Sequence, residues 1–359
     1  MEKENKKEIV VSGIRSTGNL HLGNYYGALR KFVSIQDDYD CNFFIADLHA
    51  LTTSTDPAAL HASVKNVLAE YLAAGIDPDK ATIFIQSDIP EISEMYLLLN
   101  MHVGIGELMR TASFKDKARK ALGLKTGEDD GTQEAFEREI IGAETNKRVN
   151  AGLLTYPTLM AVDILIQKAS KVPVGKDQLQ HLELTRRFAR RFNSFYGVDL
   201  FPEPQDFDFG GAPVKVPGLD GSGKMGKSEG NCIYLIDDPK VLRKKVMRAV
   251  TDEGPKEPNS PMSEPVANLF SLLELTSTPE IVQQFRDAYA DCSIRYGDLK
   301  KQLAEDILAI TNPIRERVAD ILADENYLRR VVKDGADRAR ARASETLREV
   351  RHIMGIRPL

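Results

Sequence analysis

IVVSGIRSTGNLHLGNYYGALRKFVSIQ, residues 9–36, reads as a strand, a glycine loop and a helix in immediate succession. Residues 9–11 have the apolar, β-branched character of a short buried strand. Residues 12–18 form the loop, and a helix begins near 19–21. Its apolar or aromatic side chains, Leu22, Tyr25, Tyr26, Leu29, Phe32 and Val33, recur at helical spacing. Such a junction presents unpaired backbone N–H groups to a ligand, and the helix dipole adds roughly half a positive charge, so it suits phosphate. Within it, His21-Leu-Gly-Asn24 places two polar side chains around a glycine that lets a ligand approach the backbone. These residues alone also fit a tight turn with a surface histidine.

Outward from this stretch, the strand–helix rhythm continues. Residues 41–47 read as a second buried strand ending at Asp47-Leu-His49, residues 57–74 as a helix with Pro57 at its first turn, and residues 81–86 as a third strand. Strands alternating with helices predict a parallel sheet in an α/β fold. Ligands of such sheets sit beyond the carboxyl ends of the strands, so residues 12–17, Asp47, His49 and 86–88 become site candidates. Residues 91–114 read as helical. Residues 115–150 are charged and poor in large apolar side chains, which predicts a mobile insertion with a short helix around 133–141.

Residues 151–167 are almost wholly apolar except for Asp163, with Pro157 at an expected helix start. A carboxylate in that setting costs several kcal/mol unless it is partnered. It therefore either uses the helix's one wet face or faces a ligand, and Met160 shares its face. A short strand at 171–174 and a Gly175-Lys-Asp turn lead into a helix over 178–193. That helix carries Arg186, Arg187, Arg190 and Arg191, a solvated face or a phosphate-backbone contact. From 239 onward the strands disappear, and helices are expected at 239–250, 265–276, 279–290, 298–332 and 336–352.

The 359 residues, with 42% apolar and 28% charged, suit a two-domain globular chain. No run approaches the roughly 18 apolar residues of a membrane span, and residues 1–8 lack the apolar centre of a signal peptide. Three dispersed cysteines (Cys41, Cys232, Cys292) give no disulfide framework, so a cytoplasmic setting is expected. The net charge of −5 argues against indiscriminate nucleic-acid binding. Residues 295–359 hold 14 Lys/Arg and 11 Asp/Glu, a net of +3 that leaves −8 for the rest and is compatible with nucleic-acid contact.

Gly221-Ser-Gly-Lys-Met-Gly226-Lys227-Ser228 satisfies the P-loop pattern letter for letter. Its context does not fit. A P-loop follows a buried strand and opens into a helix, whereas here Pro217 and Gly218 precede it, Gly230-Asn231 follow, and 232–236 look strand-like. What remains is a flexible glycine loop with two lysines three residues apart, able to reach over phosphates.

Gly18-x-x-His21-Leu-Gly-Asn24 resembles the His-Ile-Gly-His motif of class I aminoacyl-tRNA synthetases, and Lys224-Met-Gly-Lys-Ser228 resembles their Lys-Met-Ser-Lys-Ser loop. Ala46-Asp-Leu-His-Ala-Leu-Thr, Gly152-Leu-Leu-Thr-Tyr-Pro and Val172-Pro-Val-Gly-x-Asp-Gln are similar to segments of the tryptophanyl-tRNA synthetase family. The resemblance covers nearly the whole chain. It implies a Rossmann-like catalytic domain over 1–235, a helical tRNA-anticodon domain over 236–359, and a homodimer. It also implies activation of L-tryptophan by ATP, with Mg²⁺ entering through the ATP phosphates, and transfer to tRNA(Trp).

By the same resemblance Arg15, Ser16, Thr17, Gly23 and Asn24 match ATP-contacting positions. So do Gly175, Lys176, Asp177, Val216, Lys224, Met225, Gly226, Lys227 and Ser228. His21, Asn24, Lys224 and Lys227 would act on the phosphates. Asp163 matches the acceptor of the indole N–H with Met160 beside it, and Gln178 lies near the amino acid. Arg15 stands where bacterial relatives often have Gln, Lys176 where Glu is common, and Gly226 replaces the middle Ser of the lysine loop. A tyrosyl-tRNA synthetase would share most of this architecture. A nucleotidyltransferase would leave the helical tail unexplained, and a non-catalytic tRNA or tryptophan binder would not need the lysine pair.

Overall fold

The computed structural model describes residues 7–53, 56–122, 149–175, 178–207 and 214–357. Five strands form one parallel sheet in the order β3-β2-β1-β4-β5: β1 (Ile9–Arg15), β2 (Asp40–Ala46), β3 (Thr82–Ile85), β4 (Lys171–Val172) and β5 (Gln205–Asp206). β1 and β2 pair in register from Ile9 opposite Asp40 to Arg15 opposite Ala46. Because every pair is parallel, all carboxyl ends share one edge. The strand order reverses between β1 and β4, which puts a cleft there.

Side chains alternate across the sheet as a strand's period of two requires. Val10, Phe43, Ile45 and Ile83 face one apolar core, and Val11, Phe44, Ala46 and Phe84 face the other. The opening helix, α1, runs from Leu22–Asn24 through a π-helical segment, Tyr25–Leu29, to Arg30–Ile35. It buries Leu22, Tyr26, Leu29 and Phe32 against the first face together with Tyr71 of α2 (Pro57–Ala73). Asp56 caps α2, its carboxylate accepting from the Ala58 and Ala59 amides.

Several boundaries depart from expectation. β1 extends to Arg15, because pairing with β2 on one side carries extended backbone past Ser12. The helical stretch 91–114 is instead three helices, Pro90–Asn100, Ile105–Met109 and α3 (Ala112–Leu122), with a break after Met101. α3 therefore enters the expected insertion as helix, burying Phe114 and Ala118 against Leu153. The helix proposed around 133–141 lies outside the described residues. α4 (Ala151–Leu165) starts six residues before Pro157, because Asn150 caps it by accepting the Leu153 amide at 2.8 Å. Residues 232–236 make one isolated antiparallel bridge, Tyr234 with His21, and no strand.

The chain closes with α5 (Glu325–Ile353), and the break before it falls at Asp324. Pro313 sits inside the preceding helix, Tyr296–Ala323. Asp324 ends that helix and caps the next, accepting the Tyr327 amide at 2.9 Å. α5 then crosses the free edge of β3. Leu328 and Val331 lie in the first core, while Ala339, Ala343 and Val350 lie in the second. Gly335 occupies the crossing point, where a Cβ would stand 1.7 Å from the Ile83 carbonyl oxygen. Arg338 donates to the Pro78 and Ala81 carbonyls, and Arg342 pairs with Asp40, Arg340 with Glu91 and Arg351 with Glu94. Four arginines of α5 thus fasten it to β2, to the segment before β3 and to the helix Pro90–Asn100.

Gly335→Ala should lower the melting temperature, since overpacking against fixed backbone costs about 1–3 kcal/mol or more. Gly297→Ala, whose Cβ would meet nothing within 4 Å, should leave it unchanged or slightly raised. Equal melting curves for both variants would refute the close packing of α5 on β3.

Candidate active site

The glycine loop is pinned from two sides. Residues 20–22 pair antiparallel with 233–235: the Leu22 amide donates to the Ile233 carbonyl at 3.0 Å, and the Leu235 amide to the Leu20 carbonyl at 2.9 Å. From α2, the Glu70 carboxylate accepts the Leu20 amide at 2.9 Å, and Asn66 donates to Asn19 at 3.0 Å. Gly18 takes a φ of +102°, open to glycine at little cost. Asn24 Oδ1 accepts the His21 amide at 3.1 Å, closing the first turn of α1.

The His21 imidazole folds over Gly23, where a Cβ would stand 2.8 Å from the ring. Here a glycine is required by a side chain of its own loop. His21 is buried, and Nδ1 has no hydrogen-bond partner among the described residues. Ser16 Oγ and Arg15 Nε are buried without partners as well. Buried polar atoms are rarely left unpaired, so this trio marks a place shaped for a polar ligand.

The lysine loop stands opposite. Lys227 donates from Nζ to the Gly18 carbonyl at 2.8 Å. Burial holds its ammonium below the usual lysine range, with Glu70 acting in the other direction. The Met225 amide donates to the Val216 carbonyl at 2.8 Å. Asn231 clasps the loop, donating to Asp220, Ser222 and the Lys224 carbonyl and accepting the Gly226 amide at 2.9 Å. After Gly226 comes one 3-10 turn, Lys227–Glu229, and then Gly230 at φ +67°; the helix that a P-loop needs is absent there. A Cβ on Gly226 would meet only Glu229 Cγ at 3.5 Å, so the site has room for a serine.

A second polar cluster lies behind the first. Asp163 is buried, 3% exposed, and its carboxylate pairs with His49 Nε2 at 3.0 Å and accepts from Gln86 Nε2 at 2.8 and 2.9 Å. It does not use a wet helix face. Burial raises its pKa, and the bonds from His49 and Gln86 oppose that rise. His49 follows β2 and Gln86 follows β3, so three elements converge on one carboxylate. Beside it Tyr156 and Ser113 hydroxyls meet His181 Nε2 at 2.8 and 2.6 Å, and His181 Nδ1 meets Gln178 Oε1 at 2.7 Å. Met160 is half-buried against the second core.

Arg15 joins the two clusters. Its guanidinium donates to the His49 carbonyl at 3.2 Å and to Thr53 at 3.0 Å. Lys117 of α3 sits 3.6 Å above the Tyr156 ring. Burial, helped by Arg15, lowers the Lys117 ammonium to about 8. Thr17 is exposed at the loop tip and Gly175 opens the turn after β4, while Lys176 and Asp177 lie outside the described residues. The arginines of α6 (Leu179–Tyr196) are tied locally: Arg186 and Arg190 to Glu183, Arg191 to Glu107.

The chain as a whole is similar to known proteins. The family described as class I tRNA synthetases (W and Y) matches residues 3–311. A tryptophan–tRNA ligase of Porphyromonas gingivalis is 59% identical over 350 residues, covering 98% of this chain and 100% of that protein. The chain belongs to the tryptophanyl-tRNA synthetase family. A second ligase of this name, from Caldanaerobacter subterraneus subsp. tengcongensis, is 39% identical over 358 residues, covering 97% of the chain and 98% of the relative. The crystal structure of the Campylobacter jejuni tryptophanyl-tRNA synthetase, complexed with ADP and tryptophan, superposes with a TM-score of 0.81. It is 32% identical and covers 97% of this chain and 99% of its own.

Sequence reading alone missed Glu70 and Tyr156 and weighed His49 and Gln86 by position only. Glu70 did carry a signal: it is the one carboxylate in the apolar run 67–74, the same signature that singled out Asp163.

The His21 ring is held down to about 4, by burial first and then by Lys227 and Lys224. Unfolded, it would titrate near the ordinary histidine value of about 6.5. Between those values the unfolded chain binds the extra proton, so this contribution to stability is present above about pH 6.5 and is lost as pH falls towards about 4. NMR titration should find His21 neutral throughout pH 5.5–9; protonation near 6.5 would contradict the packing over Gly23.

Proposed function

We infer that the chain activates L-tryptophan with ATP to tryptophanyl-adenylate and transfers the aminoacyl group to tRNA(Trp). What carries this reading at the level of residues is the juxtaposition of His21–Asn24 with Lys227 across the Gly18 carbonyl. In activation the tryptophan carboxylate attacks the α-phosphorus, and pyrophosphate leaves. The substrate is its own nucleophile, so the protein's task is in-line positioning and stabilisation of charge on the phosphates. His21 and Asn24 hold phosphate oxygens from the glycine-loop side. The neutral, unpaired imidazole offers a hydrogen bond there without adding charge. Lys224 and Lys227 close from the other side. Arg15, Ser16, Thr17, Gly23, Val216 and the backbone of 225–228 complete the ATP cradle, with Gly175, Lys176 and Asp177 as further ATP contacts by the family resemblance.

Mg²⁺ would enter with ATP, bound to its phosphates and neutralising part of their charge.

Asp163 accepts the indole N–H in a pocket with Met160, while Gln178 contacts the amino acid. An acceptor so placed rejects side chains lacking that donor, because it would be left buried and unpaired. Residues 236–359 supply the anticodon-reading part. The setting is the cytoplasm, which suits the three free thiols, and no described helix is long and apolar enough to cross a membrane. A homodimer is supported by the exposed apolar side chains Leu97, Met101, Ile105 and Phe195, the last of them against His102.

Lys227→Ala should cost about 10²-fold or more in the tryptophan-dependent ATP–pyrophosphate exchange rate, the scale of one lost transition-state donor. A near-normal rate would sink the clamp. Asp163→Ala should raise the KM for tryptophan roughly 10- to 100-fold, the scale of 1–3 kcal/mol for one buried acceptor, with far less effect on the KM for ATP. Equal losses would speak for a purely structural carboxylate, and exchange driven by tyrosine in the parent protein would favour the tyrosyl reading.

A further inference from the structure

Glu70 has no part in the phosphate clamp as described, yet its carboxylate holds the loop amide just before His21. It comes from the last turn of α2, within Val67-Leu-Ala-Glu-Tyr-Leu-Ala73, where every neighbour in sequence is buried and apolar. The side chain is 0% exposed. Both oxygens converge on the Leu20 amide, at 2.9 and 3.2 Å, one residue before His21. One helical turn earlier, Asn66 holds Asn19, so α2 grips the loop at consecutive residues.

A hydrogen bond to one amide does not require a charge. A buried carboxylate is costly, and a glutamine would hold the same N–H at lower cost. The structure gives such a charge something to act on without an ion-pair contact: Lys227, on the opposite loop, rests its Nζ on the Gly18 carbonyl, two residues before the Leu20 amide that Glu70 accepts. Lys227 in turn feels Arg15 and Cys232.

We propose that Glu70 is a positioning residue for the clamp, fixing the backbone before His21 and, in its ionised form, drawing Lys227 towards the glycine loop in competition with the incoming phosphates. This proposal rests on the reading of Lys227 as a phosphate-binding lysine. Its consequence is competition. An ionised Glu70 draws on the Lys227 ammonium and repels the incoming phosphates, whereas a protonated one does neither. Burial raises the Glu70 carboxyl to about 8, with the Leu20 amide and Lys227 opposing the rise. Its charge is therefore mostly absent near pH 6.5 and mostly present near pH 9.

The test compares Glu70→Gln with the parent protein in tryptophan-dependent ATP–pyrophosphate exchange. Gln keeps an acceptor for the Leu20 amide and removes the charge. Near pH 9 the KM for ATP should fall about three- to tenfold in the variant, the effect of deleting one nearby like charge from a partly buried site. The two proteins should converge as pH falls to about 6.5. Lys117 titrates in the same window but is common to both, so it cancels in the ratio.

A KM ratio that is unchanged at pH 9, inverted, or equal at both pH values would overturn the proposal, because a merely structural glutamate would not give a pH-dependent ratio. In a Lys227→Ala background the Glu70→Gln difference at pH 9 should shrink to the part due to direct repulsion of phosphate; an undiminished difference would overturn the action through Lys227. If Lys227→Ala alone leaves exchange near normal, the clamp reading fails. If it is impaired and the Glu70→Gln ratio is flat with pH, only the role of Glu70 fails. Glu70→Leu, which also removes the Leu20 anchor, should lower kcat beyond the Gln variant; equal kcat values for the two would overturn the anchoring half.

Discussion

The site hangs on a short antiparallel pairing between residues 20–22 and 233–235. Two backbone hydrogen bonds there, Leu22 to Ile233 and Leu235 to Leu20, join segments more than two hundred residues apart. One carries the glycine loop and the other follows the lysine loop. Without this pairing His21 and Lys227 would belong to separate parts of the chain. With it, Lys227 reaches the Gly18 carbonyl, and both loops lie at the carboxyl edge of a parallel sheet, near the switch between β1 and β4. The sheet gives this pairing a rigid floor, and α2 anchors the loop from behind.

The two polar clusters solve different electrostatic problems. Around His21 and Ser16, buried atoms are left open, as befits a place where a charged ligand supplies the missing partners. Around Asp163 the carboxylate is already held by His49 and Gln86. Each carboxylate oxygen can accept more than one hydrogen bond, so Asp163 is fixed in place and still able to accept another. Arg15 touches the His49 carbonyl and lies beside both, which makes it the bridge between the two clusters.

Much of the fold could be read from local pattern. The buried strands announced themselves by short apolar runs, and Asp56-Pro57 marked the start of α2 through side-chain and ring chemistry that acts within a few residues. The false P-loop at 221–228 was rejected for a reason the structure repeats: Gly230 stops any helix there. What was hidden depended on distant partners. Asn150 outweighed Pro157 as a start signal because a cap satisfies amides that a proline only tolerates. Residues 112–122 became helix because Leu153, far along the chain, offers Phe114 a surface. The extended run 232–236 lacked neighbours to complete a sheet and made a single bridge. Of the site, the motif residues were legible by type and spacing, whereas Glu70 and the His49–Asp163–Gln86 contact required knowing which strands end side by side.

The crossing of α5 over β3 also sets an order in time. β3 is complete at Ile85, but Gly335, which covers its free edge, is synthesised 250 residues later. At a ribosomal pace of about 5–20 residues per second, that gap lasts roughly 12–50 s. Throughout it the outermost strand of the growing sheet offers unpaired backbone to any passing strand, the usual route to misassembly. The last long helix is therefore also the last guard to arrive, and the nascent chain is most exposed while all five strands of its sheet are already made.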